Sequence, residues 1–504
     1  MCPLRDFRRG MVFSIVTALA TLGSFSAAQA DGVVLTSFSS GIVGGKAGAF
    51  PLTSNYIPPD TQLAVGTQTL VHLTNGAAAF YNKSGAVLRP IVTLDQFWTD
   101  AGIANVNGAV EPRVIYDPSS KLYYASSLDA PRPGQNANNL LLAVSRTSNP
   151  LDGWQGYKIP VNFGNRDHFG DANALGFNAQ GVFLSLSSFQ SVNGAFIGST
   201  TFAIAKSDLL AFPNSLKPIA AYEKSATLTG FSLQPVVDYS SGSIDASGRF
   251  VARYFDNSFA VSRFTGSLEN HSAIYQATGQ NVFATNYAPP PPEGAIQKGT
   301  NQTIDAGDNL LTSAVIQRGD NIYLVQGVSS PVGRAAIRLL VFRASDNVVL
   351  LDKLVSDPNR DLYFPSVAVN DTGDLVIGYS ASGADAYASA YAVVGKLNAS
   401  RSSVAFETPI LLAAGVATYR VPSSGLNRWG EYSATWIDPT DPNRFWTAQE
   451  YAIAKDQWGT YISQISVHGD SGATNAPEPA TIFLFALGGT CTLLTRRRKS
   501  PRRS

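Results

Sequence analysis

The chain has 504 residues, 14% of them charged, with 44 Gly, 27 Phe and 20 Tyr but only 2 Met, which points to strands and turns rather than helical bundles. Its formal charge is +1, yet residues 31–495 carry 28 Lys and Arg against 35 Asp and Glu; this acidic body excludes nucleic acid as a partner, which needs a basic surface to displace counterions. Cys2 and Cys491 lie near the ends, so the stretch between them has no disulfide, thiolate metal site or cysteine nucleophile and must be held together by buried apolar area.

The first thirty residues read as a secretory signal. Arg5, Arg8 and Arg9 precede an apolar stretch from Met11 to Phe25, and Ala28-Gln29-Ala30 places small residues where a signal peptidase reads them, so cleavage is expected after Ala30. Cys2 does not follow the apolar stretch, which argues against a lipoprotein anchor.

From residue 31 to about 470 one pattern recurs: a short apolar strand, a polar turn, then a second alternating strand. Its copies begin near 63, 114, 174, 236, 314, 367 and 434, as in Val114-Ile115-Tyr116 turning through Asp117-Pro118 to Leu122-Tyr123-Tyr124. Each turn carries Gly, Asp, Asn or Pro, which tolerate or pre-set turn dihedrals. A repeat of about 62 residues with no crossover helix predicts an all-β fold, a β-propeller of seven four-stranded blades, with six blades or a pair of β-sandwiches as the alternatives. Only Thr93 to Ala104, around Leu94, Phe97 and Trp98, reads as a short helical connector, and Pro289 to Pro292, within Asn286 to Gln302, reads as a surface excursion between blades.

The residues just before several of these first strands are polar or charged: Asp60, Glu111, Asp171, Gln234, Asp305 with Asp308, Tyr363, and Arg428 with Glu431. In a propeller the first strand of each blade lines the central channel, so these groups are expected to converge on one mouth. There Asp60, Glu111, Arg113, Asp171, Asp308, Arg428 and Glu431 form the candidate ligand-binding set, gripping a sugar through its hydroxyls, while Asp305 and Asp308 are candidates to hold a hard cation such as Ca²⁺. The bland reading is that the same groups cap strands. Asn370-Asp371-Thr372-Gly373-Asp374 lacks the twelve-residue cation-loop spacing and reads as a turn, and His168, without a second histidine nearby, as a loop hydrogen-bond partner. The aromatic crowding from Trp429 to Tyr461 reads as blade packing. No nucleophile elbow, paired-histidine zinc motif or phosphate-binding loop occurs. The repeated Ser-x-Asp-x-Gly-x-Thr-Trp turns of sialidases are absent as well, and Arg113, Arg253 and Arg428 could be nominated for their arginine triad only without spacing support.

The chain closes, from residue 471, on Ala476-Pro477-Glu478-Pro479-Ala480, an apolar run from Thr481 to Leu494, and the basic cluster Arg496-Arg497-Arg498-Lys499. The prolines hold an extended, accessible stretch, the apolar run can enter a bilayer, and the arginines stay on its cytoplasmic side. Ala480 to Thr495 would make roughly 24 Å of helix, short of a hydrocarbon core of about 30 Å, so an ordinary tail anchor fits less well. This tail resembles the PEP-CTERM sorting signal of Gram-negative bacteria. The resemblance implies export, processing near Pro477-Glu478-Pro479 by an exosortase, and residence in the envelope, at the outer surface or in the extracellular matrix.

The body is similar to a broad group of bacterial secreted propeller-like proteins. The similarity rests on Pro58-Pro59-Asp60-Thr61-Gln62-Leu63-Ala64-Val65-Gly66, on Glu111-Pro112-Arg113-Val114-Ile115-Tyr116-Asp117 and on Arg428-Trp429-Gly430-Glu431-Tyr432-Ser433-Ala434, with Glu111 and Glu431 where Asp is expected. It implies fold more than activity. Two functions remain open from sequence: a non-catalytic binding propeller for polysaccharide or another envelope component, and a secreted carbohydrate-active hydrolase or lyase using the channel-mouth acids.

Overall fold

The computed structural model describes residues 32–468, apart from 131–137, 163–166, 217–218, 241–247, 256–257 and 424. The segments assigned to the export and sorting signals, including Pro477, Glu478, Pro479, Arg496, Arg497 and Arg498, lie outside the described residues. Among the described residues no helix is long and apolar enough to cross a membrane.

The body is β-rich and organised as successive antiparallel meanders. The first contains Gln62–Val65, Thr69–Thr74 and Ala77–Asn82. The second runs Val110–Asp117, Leu122–Leu128, Asn139–Ser145 and Trp154–Pro160, and the third His168–Phe177, Gly181–Gln190, Phe196–Ala205 and Ala220–Ser225. A fourth starts with Phe231–Asp238, Arg249–Arg253 and Phe259–Thr265. It joins a fifth (Val315–Arg318, Asn321–Ser329, Ala335–Arg343, Val349–Val355) because Val236 to Asp238 pairs in parallel with Val315 to Gln317. The sixth begins Arg360–Val369, Asp374–Gly383 and Ala386–Leu397. The last comprises Ala434–Asp438, Asp441–Ala454 and Gln457–Ser466, and its outer edge is covered by the N-terminal strand Val33–Gly45, Val33 facing Ser466 and Gly45 facing Gln457.

None of these sheets closes on itself by hydrogen bonding. The first strands instead lie side by side: each touches the first strand of the next meander, and Ala434–Asp438 comes back against Gln62–Val65. Period-two side-chain alternation makes this stacking possible. In the second meander Val114, Tyr116, Tyr123, Ala125 and Leu141 point to one side, onto Ala64, Val71, Leu73 and Phe80 of the first. Ile115, Tyr124, Leu140 and Leu142 point the other way, into the cluster holding Leu175, Phe177, Val182 and Leu184 of the third. Both faces of each sheet are thus buried, which is why the strands read as near-continuous apolar runs. The aromatic crowding near the C-terminus follows the same logic: Trp429, Trp446 and Trp458 are buried, and Trp446 donates to Asp438 at 3.0 Å.

The expected connector is a helix over Leu94–Asp100, opened by Thr93, whose hydroxyl accepts the Gln96 amide at 3.1 Å. Its Asp95 carboxylate accepts the amides of Gly108 and Ala109, tying the helix to the entry of the second meander. Turn chemistry also explains Asn370 to Asp374: the Asn370 side chain accepts the Asp374 amide at 2.8 Å, and Asp374 pairs with Lys396. His168 reaches across its sheet to Glu223 at 3.0 Å. The stretch 286–302 departs from its reading as a mere surface excursion, since Pro291, Pro292, Glu293, Gly294 and Gln302 wall the largest cavity described below.

One backbone feature recurs. Asp60, Glu111, Ala172, Ser232 and Phe364 all have left-handed φ, between 49° and 53°, and four of them sit where the register of a first strand shifts: Val110/Arg113, beside Asp171 in the third meander, Phe231/Gln234 and Tyr363/Ser366. These are β-bulges, which kink a strand and re-aim its side chains. A left-handed backbone disfavours any residue with a Cβ. Ala172→Gly is therefore expected to hold or raise stability by up to about 1 kcal/mol, the reverse of the loss glycine causes inside a regular strand; chemical denaturation measures the sign, and a clear loss would contradict this account.

Candidate functional site

Because the first strands share one direction, their starts meet at one end of the body and their ends at the other. The far end holds a small cavity of about 200 Å³ between Tyr116, Tyr239, Arg318, Asp371, Trp436 and Asp438, where the Arg318 guanidinium lies 4.2 Å from the Tyr239 ring. At the starting end lies a cavity of about 660 Å³. Asp171, Asp305, Asp308 and Glu431 line it, together with Ala172, Ser232, Thr312, Phe189 and Phe364. Three of the five left-handed residues thus stand in its wall, and the other two, Asp60 and Glu111, lie beneath it.

The floor is a charged network. Asp60 is 2% exposed and accepts the Asn75 side-chain amide at 2.7 Å and the Glu431 backbone amide at 3.3 Å. Burial pushes its carboxyl up to about 7, against the pull of Arg113, the Asn75 bond and Arg428. Asn75 also donates to Pro58 O at 2.9 Å and accepts the Glu111 amide at 2.6 Å, so one side chain fixes the entries of the first two meanders. Glu111 is held well above the usual carboxylate range by burial first, then by Asp171, to which its carboxyl is hydrogen-bonded, and by Asp60. Asn173 donates to Glu111 O at 2.6 Å and is itself held by Ser126. Arg113 sits among these acids, yet its Nε donates to Asn173 O at 2.9 Å and a terminal nitrogen to Thr312 O at 2.8 Å. It stitches the second, third and fifth meanders together, and its guanidinium lies 3.5 Å from the centre of the Tyr432 ring.

The segment Arg428 to Tyr432 completes the site, each residue for a separate reason. Trp429 is buried and donates to Ser380 at 3.1 Å. A Cβ on Gly430 would overlap the Glu450 carboxylate, which would have to shift to admit it. Arg428 pairs with Glu431 and lies 3.7 Å from Asp305. Tyr432 slides under Arg113.

Every sequence-nominated ligand residue is therefore part of this one region, as cavity lining (Asp171, Asp308, Glu431), as floor (Asp60, Glu111, Arg113) or as an ion-pair partner of the lining (Arg428). Asp305 and Asp308, nominated for a cation, accept the amides of Gly307 (3.0 Å) and Leu310 (2.8 Å), as turn residues do. Among the described residues no group of three or more His, Cys, Asp or Glu side chains is arranged to hold a metal ion. Gln234 donates to Leu311 O at 2.8 Å, and Tyr363 is fully buried.

Sequence reasoning missed Glu450. It lies in the middle strand of the last sheet, 3% exposed, and its oxygens make no hydrogen bond, with the Thr61 and Gly430 amides near it. Burial, and then Asp60, hold its carboxyl well above the usual range. A lone acid inside an apolar central strand was the available signal.

Comparison with known proteins agrees with the reading of the C-terminus and gives only distant likenesses for the body. Residues 475–499 match the PEP-CTERM protein-sorting motif. The chain is thus an exported, exosortase-processed protein of the cell envelope, with a propeller-like β body. No curated protein matches it. Among solved structures it is similar to the phage phi92 endosialidase (8% identity, TM-score 0.41, covering 77% of this chain and 69% of that one) and to the Cellvibrio cellulosa alpha-L-arabinanase complexed with arabinohexaose (14%, 0.31, 68% and 93%). A Dyadobacter fermentans protein of unknown function is also similar (10%, 0.26, 86% and 99%).

Proposed function

We propose that residues 31–470 form a seven-bladed β-propeller between a cleavable signal peptide and a sorting tail from residue 471, and that the cavity at the starts of its first strands binds a neutral polysaccharide of the envelope or matrix without cleaving it. What carries this reading is the convergence of left-handed first-strand entries from five meanders, four of them bulged, on the wall and floor of a single cavity. Backbone strain of this kind persists where surrounding structure enforces it, and it clusters at ligand sites. A volume of about 660 Å³ suits a few sugar rings. Carboxylates and hydroxyls suit sugar hydroxyls, Phe189 and Phe364 offer apolar ring faces, and the acids repel anionic polymers.

A second reading, a hydrolase with Glu111 as proton donor, is favoured by the burial that pushes this carboxyl well above the usual carboxylate range. Against it, Glu111 and Asp171 are hydrogen-bonded to each other, whereas paired glycosidase carboxyls stand about 5–5.5 Å or 6.5–9.5 Å apart with the sugar between them. Asp171 is exposed, so Asp171→Asn leaves the fold intact. On a glycan array the variant is expected to bind at least about tenfold more weakly than wild type. Turnover of glycosidase substrates by wild type that vanishes in Glu111→Gln would replace the binding reading with the second one.

A further inference from the structure

The cavity does not end at its rim. Phe189, in its wall, lies directly opposite Phe169 on one neighbouring strand and Phe196 on the other, with ring centres 5.3 Å and 5.4 Å away. Phe196 continues to Phe231 at 5.7 Å, Phe231 to Phe255 at 5.1 Å, and Phe255 to Tyr254 at 4.9 Å. Six rings thus make one unbroken row from the third meander to the fourth, on the same end of the body as the cavity.

Core packing accounts for the inner rings but not for the outer ones. Phe196 is 36% and Phe255 42% exposed, whereas the other paired rings among the described residues are buried or half-buried. A contiguous row of half-buried and exposed rings joined to a polar pocket marks an interaction surface rather than scattered surface hydrophobes. Aromatic faces suit the apolar faces of sugar rings, and the acidic surroundings disfavour a polyanion such as single-stranded nucleic acid, which also stacks on aromatic rows but needs a positively charged groove.

We infer that this aromatic row is an extended subsite that carries a neutral polysaccharide chain out of the cavity, so that the protein recognises the polymer along its length rather than a terminal sugar. The inference rests on the polysaccharide reading of the cavity. The acidic balance of the body, which disfavours polyanions, and the row's continuity with the cavity through Phe189 select the occupant.

Affinity electrophoresis of the exported protein in gels holding dextran, galactomannan, xyloglucan or arabinan tests it. For the polymer that retards wild type, Phe196→Ala/Phe255→Ala is expected to weaken binding about tenfold while leaving competition by a trisaccharide of the same polymer unchanged. Phe196→Trp/Phe255→Trp is expected to restore polymer binding, which a merely structural role would not produce. Asp171→Asn should weaken polymer and trisaccharide alike. Unchanged polymer binding in the double alanine variant, with Asp171→Asn still defective, would sink the row and spare the cavity. No retardation of wild type by any of the four polymers would overturn both. Retardation by single-stranded DNA, or capture by lipid vesicles lost in the double alanine variant, would give the row a different occupant and overturn the inference.

Discussion

Replacing Asn75 with alanine is expected to destabilise the protein by about 3–5 kcal/mol, the largest effect of any polar substitution at the site. Three bonds vanish together: those to Asp60 and Pro58 O, and the one from the Glu111 amide. The groups left behind lie in the buried floor, and an orphaned buried donor or acceptor costs about 1–3 kcal/mol. The two left-handed residues that Asn75 braces would also lose their support. Urea denaturation of wild type and Asn75→Ala measures the difference; a loss under about 1 kcal/mol would show that solvent replaces the side chain and that the floor is wetter than described.

Glu450→Gln is expected to stabilise the protein in alkali and to change little in acid. The folded chain holds this carboxyl above its ordinary range, so between the unfolded and folded values the native state binds the extra proton. Stability therefore falls as pH rises through that window, and Asp60, pushed up to about 7, adds to the same slope. Glutamine has the same shape and no charge to desolvate. Melting curves at about pH 5 and about pH 8 should nearly coincide for variant and wild type at the lower pH and separate at the higher, the variant melting later. A wild type that gains stability over this range would refute the assignment.

The meanders were legible because their signals are local. Val114-Ile115-Tyr116 with Leu122-Tyr123-Tyr124 needs only alternation and the Asp117-Pro118 turn to declare two antiparallel strands, and Thr93 before Leu94, Phe97 and Trp98 declares a helix start. The polar entries Asp60, Glu111, Asp171 and Glu431 were legible as a positional regularity. The bulges were not, because nothing in Glu111-Pro112 or Ala172-Asn173 resembles the glycine that usually marks a left-handed residue. Asn75 reads as an ordinary turn residue until its three partners, 15 to 36 positions away, are seen around it. The stretch 286–302 carries proline and polar residues whether it crosses open surface or roofs a cavity.

The strand Val33–Gly45 completes a sheet built from the last residues described, with Val33 facing Ser466. The first and last strands described are thus partners, and Val33 and Ser466 lie side by side at one edge of the body. Joining the two ends and opening the loop between two other sheets should accordingly give a permuted chain with the same core.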